Sequence, residues 1–158
     1  MTMTSSRTNS HVARPIEQLV SEISALHSQF DATAAESEEL GDAPPALVDL
    51  MRQIRVPMIK APLEAGGDRL LLADQCRYFT ALSYSNATAA WTGFNHAGAA
   101  AAAGSRLPDE GVELLFGSDP SPFLAAVALP TGTFTRVDGG VLVNGTWNYA
   151  SGVRHADW

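Results

Sequence analysis

The chain has 158 residues, enough for one domain and part of a second, and 46% of them are hydrophobic. Seventeen acidic residues against ten lysines and arginines leave a formal net charge of −7, which argues against a nucleic-acid or anionic-membrane surface. The single cysteine, Cys76, excludes an internal disulfide and fits a reducing cytoplasm, and no apolar run approaches the roughly 18–20 residues of a membrane span.

Residues 1–13 open with the polar stretch MTMTSSRTNS, which lacks a signal-peptide core and is expected to be a disordered tail. Pro15 suits the first turn of a helix, and Ile16, Leu19, Val20, Ile23, Leu26, His27 and Phe30 recur at three- and four-residue steps as one apolar stripe. The pattern predicts a helix continuing through the alanine- and glutamate-rich segment to Leu40. Gly41 is its stop, and Asp42 is the expected cap of a second helix over residues 46–54. Pro57, Pro62 and Gly66-Gly67 then make a loop, after which Asp68 is expected to cap a long helix ending near Tyr84. Residues 85–103 form a further helix so rich in alanine and glycine that neighbouring backbones must approach it closely, which makes it central. Pro108 starts a short helix to Phe116. Residues 123–129, 133–137 and 141–150 read as strands, with Asp138-Gly139-Gly140 and Asn144-Gly145 as turns. The fold class is α+β, with an α-helical domain over residues 14–117 and the first strands of a β-domain over residues 118–158. No strand is expected between Arg69 and Ala103.

Several usual sources of chemistry are absent. The chain has no CxxC, HExxH, GxSxG, P-loop or GxGxxG pattern, so metal-hydrolase, serine-hydrolase and Rossmann readings lack support, and no metal site is expected. His11 lies in the tail, His27 lies on an apolar helical stripe, and Cys76 reads as a buried helix residue. The stretch Trp147-Asn148-Tyr149-Ala150-Ser151-Gly152 carries two large aromatics and ends in a small hydroxyl residue and a glycine. That mixture suits a flat aromatic ligand, since the rings give broad apolar area and Ser-Gly lets donors approach a ring edge.

Three segments carry a resemblance to a known family. Residues 56–67 (VPMIKAPLEAGG), Ala90-Trp91 and residues 137–158 (VDGGVLVNGTWNYASGVRHADW) resemble the flavin-dependent monooxygenase branch of the acyl-CoA dehydrogenase superfamily. The likeness is to the oxygenase components of p-hydroxyphenylacetate and secosteroid phenol hydroxylases, and it extends over the N-terminal part of such a protein. It implies an acyl-CoA dehydrogenase-like helical domain followed by an incomplete flavin-binding β-domain, with FMN or FAD, in reduced form, as cofactor. The residues it assigns to the flavin are Trp91, Ala128, Leu129, Tyr149, Ser151 and Gly152, with Ser151 as the catalytic residue at the reactive ring edge. Ala126 and His96 fall in the substrate pocket, although the family histidine on this helix aligns nearer Ala99 or Ala100, and the family serine of the preceding strand is replaced by Ala126. Residues 128–132 also depart from the TEPxxGSD loop of acyl-CoA dehydrogenases, which favours the monooxygenase branch.

The mechanism implied by the resemblance is two-component oxygenation. A separate flavin reductase supplies reduced flavin, oxygen adds at its C4a position, and the hydroperoxide passes an oxygen atom to a small organic substrate. Trp147 and Trp91 would wall the site, and Arg154 or His155 would steady a loop or a phosphate. The alternatives are an acyl-CoA dehydrogenase-like dehydrogenase or oxidase, and an inactive N-terminal fragment. Further expectations are a cytoplasmic homo-oligomer, a homotetramer in the family, or a chain lacking a C-terminal portion. On the last reading the 158 residues alone bind flavin weakly or not at all, are prone to association through an open β-edge, and recover flavin binding when mixed with the missing piece.

Overall fold

The computed structural model describes residues 11–118, 121–129 and 131–158, so most of the expected disordered tail lies outside the described residues. The stripe that begins at Ile16 forms helix in three segments: α1 (Ile16–Ala25), α2 (His27–Ala32) and α3 (Ala34–Leu40). The breaks at Leu26 and Thr33 correct the single helix expected there. At Thr33 the side-chain Oγ1 donates to the Phe30 carbonyl at 2.7 Å, and at Leu26 the backbone N–H tightens onto Ile23, so the local bonds compete with the regular ladder. The apolar stripe survives both breaks, with Ile16, Leu19, Ile23 and Phe30 all in the core. Gly41 ends α3 in the left-handed conformation at φ 61, as its position implied.

Helix α4 (Pro45–Gln53) follows. Asp42 is not its cap. Pro44 holds that position without a side-chain bond, while the Asp42 carboxylate accepts from the Ala43 N–H at 2.8 Å and turns to a distant histidine. The loop after α4 contains two short 3₁₀ turns, Val56–Met58 and Leu63–Ala65. Asp68 does not cap the next helix either, because α5 (Leu72–Ser85) starts four residues later behind Leu71. The backbone N–H groups of Asp68, Arg69 and Leu70 are bonded to the carbonyls of Met58, Ala61 and Ile59, which commits this stretch to the loop. Its carboxylate is wholly buried against Arg14, with Nη2 to Oδ2 at 2.6 Å and the Arg14 backbone N–H to Oδ1 at 3.0 Å.

The alanine-rich segment is α6 (Ala87–Arg106), and α7 (Asp109–Phe116) follows Pro108. As expected, neighbours lie close on α6: a Cβ on Gly93 would overlap the Val56 side chain, and one on Gly104 would come within 2.8 Å of Pro62. Leu19, Ile23, Phe30, Leu47, Met51, Tyr78 and Leu82 form the main core, with Phe123 inserted from beyond the helices. Asn86 joins α5 to α6. Its Oδ1 accepts from the Ala89 N–H at 2.9 Å, and its Nδ2 donates to the Phe30 carbonyl at 3.0 Å and to Thr33 Oγ1 at 3.1 Å. Asn86→Ala removes a helix cap together with two buried side-chain hydrogen bonds, to the Phe30 carbonyl and to Thr33, and should cost about 2–3 kcal/mol in thermal or urea unfolding. A loss below about 0.5 kcal/mol would contradict the role assigned to this side chain.

Among the described residues, strand structure is confined to one hairpin, β1 (Thr133–Val137) paired antiparallel with β2 (Gly140–Asn144), in the register Thr133 to Asn144 and Val137 to Gly140. No strand falls between Arg69 and Ala103. Two expectations need correction. Residues 123–129 form no strand: Phe123 and Leu124 are both buried in succession, which breaks a two-residue alternation, and their backbone meets the end of the described chain instead, with Asp157 N–H to Phe123 O at 2.7 Å and Ala125 N–H to Trp158 O at 3.0 Å. The second strand stops at Asn144 rather than continuing to residue 150, because its partner strand begins opposite at Thr133.

Candidate functional site

Three elements meet at a cleft of about 500 Å³ lined by Ser37, Gly41, Asp42, Ala87, Thr88, Trp91, Thr92, Ser151 and Gly152. The end of α3 forms one wall and the first turns of α6 another, where Thr88, Trp91 and Thr92 share a helical face through their three- and four-residue spacing. The turn at Ser151-Gly152 closes the third side. Trp91 stands at the rim, 64% exposed, as a broad apolar plate beside four hydroxyl residues.

Gly152 places that turn. It lies at φ 78, a conformation that favours glycine, and a Cβ there would come within 2.5 Å of His96 Nε2. His96 is fully buried on α6, with Nδ1 2.8 Å from the Leu124 carbonyl and its ring tilted against Phe123 at 4.5 Å. Burial lowers its pKa and holds the ring neutral. Two polar clamps tie the following residues to the helices. Asp42 accepts from His155 Nε2 at 3.0 Å and from Arg154 Nη1 at 3.4 Å. Burial alone would raise the Asp42 pKa, but His155 and the Ala43 N–H outweigh it and hold the carboxylate below its ordinary value. Arg52 grips Asp157 through Nη2 at 2.8 and 2.9 Å, and Asp157 Oδ2 accepts from the Phe123 N–H at 2.8 Å.

The structure therefore gathers Trp91, Ser151 and Gly152 in one cleft, with His96 directly behind the turn. It does not gather the others. Ala126, Ala128 and Leu129 are exposed on the extended segment that leaves the core after Leu124, and Tyr149 is 93% exposed at φ 64. Trp147 packs over Gly132 and Gly145 at the base of the hairpin instead of walling the cleft. Cys76 is exposed, which corrects its reading as buried. Sequence reasoning missed Ser37, Thr88 and Thr92, although the spacing of both threonines from Trp91 on a helix carried the signal, and it read Asp42 only as a cap. A larger, mainly apolar groove lies elsewhere, between α1 and α5, where His27 stacks on Tyr84 at 6.0 Å and bonds Ser85 at 3.0 Å. Among the described residues no group of histidine, cysteine and carboxylate side chains is arranged to hold a metal ion, and no helix is long and apolar enough to cross a membrane.

No family model matches the chain. Over 46 residues it is 48% identical to the flavin-dependent monooxygenase oxygenase subunit HsaA of Mycobacterium tuberculosis, a match covering 29% of this chain and 12% of that one. Along 144 residues it is 25% identical to the oxygenase component of p-hydroxyphenylacetate 3-hydroxylase from Acinetobacter baumannii, covering 89% of this chain and 33% of that one. The structure superposes on XiaF from a Streptomyces species, solved in complex with FADH2 and glycerol, with a TM-score of 0.84 and 27% identity over 90% of this chain and 36% of that one. The chain is similar to the N-terminal part of flavin-dependent monooxygenase oxygenase components. It spans about a third of the length of the relatives that match most of it. The helical fold with a small β-hairpin is that of the acyl-CoA dehydrogenase-like monooxygenases, in agreement with the resemblance carried by residues 56–67, Ala90-Trp91 and residues 137–158.

Proposed function

We propose that this chain supplies flavin-contacting residues to the oxygenase component of a two-component monooxygenase, which uses reduced flavin and O2 to oxygenate a small organic substrate. The observation that carries the reading is the cleft itself: an exposed indole beside a Ser-Gly turn, in a chain that superposes along most of its length on a protein solved with FADH2. The cleft fits an isoalloxazine in kind, offering an aromatic plate for a ring face and hydroxyls for its polar edge. Trp91, Ser151 and Gly152 would hold the ring, and Ala128, Leu129 and Tyr149, which lie outside the cleft, would join them in the proposed oxygenase.

Reduced flavin, when bound, supplies the electrons that activate O2 for transfer of one oxygen atom. Trp91 would cover a face of the ring and help to exclude water from it. Ser151 would offer its hydroxyl to the polar edge of a bound flavin, and Gly152 would let the backbone approach without a side chain between. His96, sealed behind the Ser151-Gly152 turn, would act on the site only through that turn, and Ala126, which lies outside the cleft, would meet a substrate only in the arrangement of the proposed oxygenase. A flavin reductase is the partner that the reaction needs, and the cofactor would be reduced FMN or FAD. A cytoplasmic location and a homotetrameric assembly complete the proposal, the second favoured by the exposed Phe134, Val141, Leu142 and Val143 of the hairpin.

Anaerobic mixing with reduced flavin, followed by labelled O2 and a panel of small phenols, tests the reading. Incorporation of one labelled oxygen atom into a substrate is expected, whereas reduction of oxidised flavin by an acyl thioester would place the protein among dehydrogenases. Ser151→Ala should divert O2 from product to hydrogen peroxide, with a loss of up to about 2.7–4 kcal/mol in stabilisation of the oxygenating state. An unchanged ratio of product to peroxide would remove Ser151 from the site.

A further inference from the structure

Lys60 is the chain's single lysine, and its ammonium meets no carboxylate and no hydrogen-bond acceptor among the described residues. Arg14, Arg52, Arg77 and Arg154, by contrast, each reach a carboxylate. Lys60 Nζ lies over the Phe94 ring, 3.8 Å from its centroid, and 5.8 Å from the centroid of Phe79, and the two rings meet edge to face at 5.3 Å. The rings attract the charge but offer no lone pair to its three N–H groups. Burial lowers the Lys60 pKa, with no carboxylate to offset it. The position is also rigid. Ile59 and Ala61 on either side are fully buried, and the N–H groups of Asp68, Arg69 and Leu70 bond to the carbonyls of Met58, Ala61 and Ile59, which pins the loop around Lys60. Opposite it, α6 presents Gly98, where an added Cβ would lie 3.6 Å from Nζ, so the ammonium stands close against the helix.

Trp91, Phe94 and Gly98 follow one another at three- and four-residue steps and so share one face of α6, with Trp91 and Phe94 exposed. From Trp91 to Gly98 the helix rises about 10 Å. The stripe therefore runs from the indole of the cleft, across an exposed phenyl ring, to a cation that no protein anion neutralises. We propose that Lys60 is a specificity-determining residue, which binds the carboxylate of an aromatic acid whose ring lies along Phe94 toward Trp91. The charge makes the selection. A neutral ligand of the same shape keeps the ring contact and loses the charge-assisted hydrogen bonds. Phe79 and Phe94 have already stripped part of the water from the ammonium, so covering it with a ligand costs less than it would on an open surface. That the acid is a substrate rests on the flavin reading above, in which Trp91 carries the ring of the cofactor. Binding of the acid at Lys60 is a property of this chain alone.

Carbon-13 labelling of lysine gives a single side-chain signal in the full chain, so the Lys60 Cε resonance reports the site without ambiguity. The probes are phenylpropionate, its neutral amide and acetate, each titrated in the absence of flavin. Phenylpropionate should move the Lys60 signal together with the ring signals of Phe94 and Trp91, and should bind about tenfold more tightly than the amide. Acetate, which has the charge without the ring, should bind more weakly than phenylpropionate. Lys60→Met keeps an apolar stem over Phe94 and should bind acid and amide alike, whereas Lys60→Arg should retain most of the preference. Equal affinity for acid and amide in wild type overturns the proposal, as does a preference that survives in Lys60→Met, a Lys60 signal that no probe moves, or acetate binding as tightly as phenylpropionate. The wild-type comparison decides the matter even where a variant loses stability. If reduced FMN fails to reach the cleft while the preference for the acid holds, the flavin reading fails and the Lys60 site stands; the opposite pair of results removes the Lys60 site alone.

Discussion

Asp68→Ala is expected to destabilise the chain by about 3–5 kcal/mol, the cost of leaving one member of a buried ion pair without its partner. The Asp68 carboxylate has no exposed surface, and it receives Arg14 through Nη2, Nε and the backbone N–H. Arg14 also reaches Glu22 at 2.8 Å and the Ile54 carbonyl at 3.1 Å, so the pair ties the start of α1 to the end of α4 and to the loop before α5. For a chain of this length the loss corresponds to a drop of about 6–20 °C in Tm. The pH dependence follows from the same contact. Burial alone would raise the Asp68 pKa, but the hydrogen bonds and charge of Arg14 outweigh it and hold the folded value below the ordinary one. A depressed folded pKa contributes stability that is complete above the unfolded value and is lost as pH falls through the folded value. Wild type should therefore weaken in acid more steeply than Asp68→Asn. Matching acid profiles for the two proteins would show that the pair contributes nothing to folding.

Gly152→Ala should cost about 2–4 kcal/mol and dismantle the cleft in the same step. The substitution asks alanine to adopt φ 78 and drives its Cβ to within 2.5 Å of His96 Nε2, on a ring enclosed by Phe123 and Leu124. The clamps Asp42–His155 and Arg52–Asp157 limit how far the turn can retreat, so the strain is shared between a displaced ring and a lifted turn. Urea unfolding measures the stability loss, and the acid titration of His96 reports the lifted turn, since an opened ring gains solvent and its pKa rises toward the ordinary value. A variant with wild-type stability and an unmoved His96 titration would mean that Gly152 is not seated on His96.

The helical part of the fold was legible because its information is local. The stripe from Ile16 to Phe30, the stop at Gly41 and the small-residue surface of α6 each depend on residues within a few turns of one another. Asp42 and Asp68 were misread for the opposite reason. Both have the residue type and position of helix caps, yet their carboxylates are claimed by His155 and Arg14, 113 and 54 residues away. No local pattern announces such partners. Residues 123–129 have strand composition, but two adjacent buried side chains and the backbone of Asp157 and Trp158 decide their conformation. At the site, Trp91, Ser151 and Gly152 came from a family motif and do share a cleft. Ser37, Thr88 and Thr92 carry no motif, and only the packing of α3 against α6 brings them there.

The most direct test of the flavin cleft is an anaerobic titration of the nitrogen-15-labelled chain with reduced FMN, followed residue by residue in backbone amide and indole spectra. This readout registers weak as well as tight binding. The shifts should concentrate at Thr88, Trp91, Thr92, Ser151 and Gly152, including the Trp91 indole, and should vanish in Gly152→Ala. Shifts confined to the groove between α1 and α5, around Cys76, Thr80 and Tyr84, or no shifts at the highest soluble flavin concentration, would contradict the account.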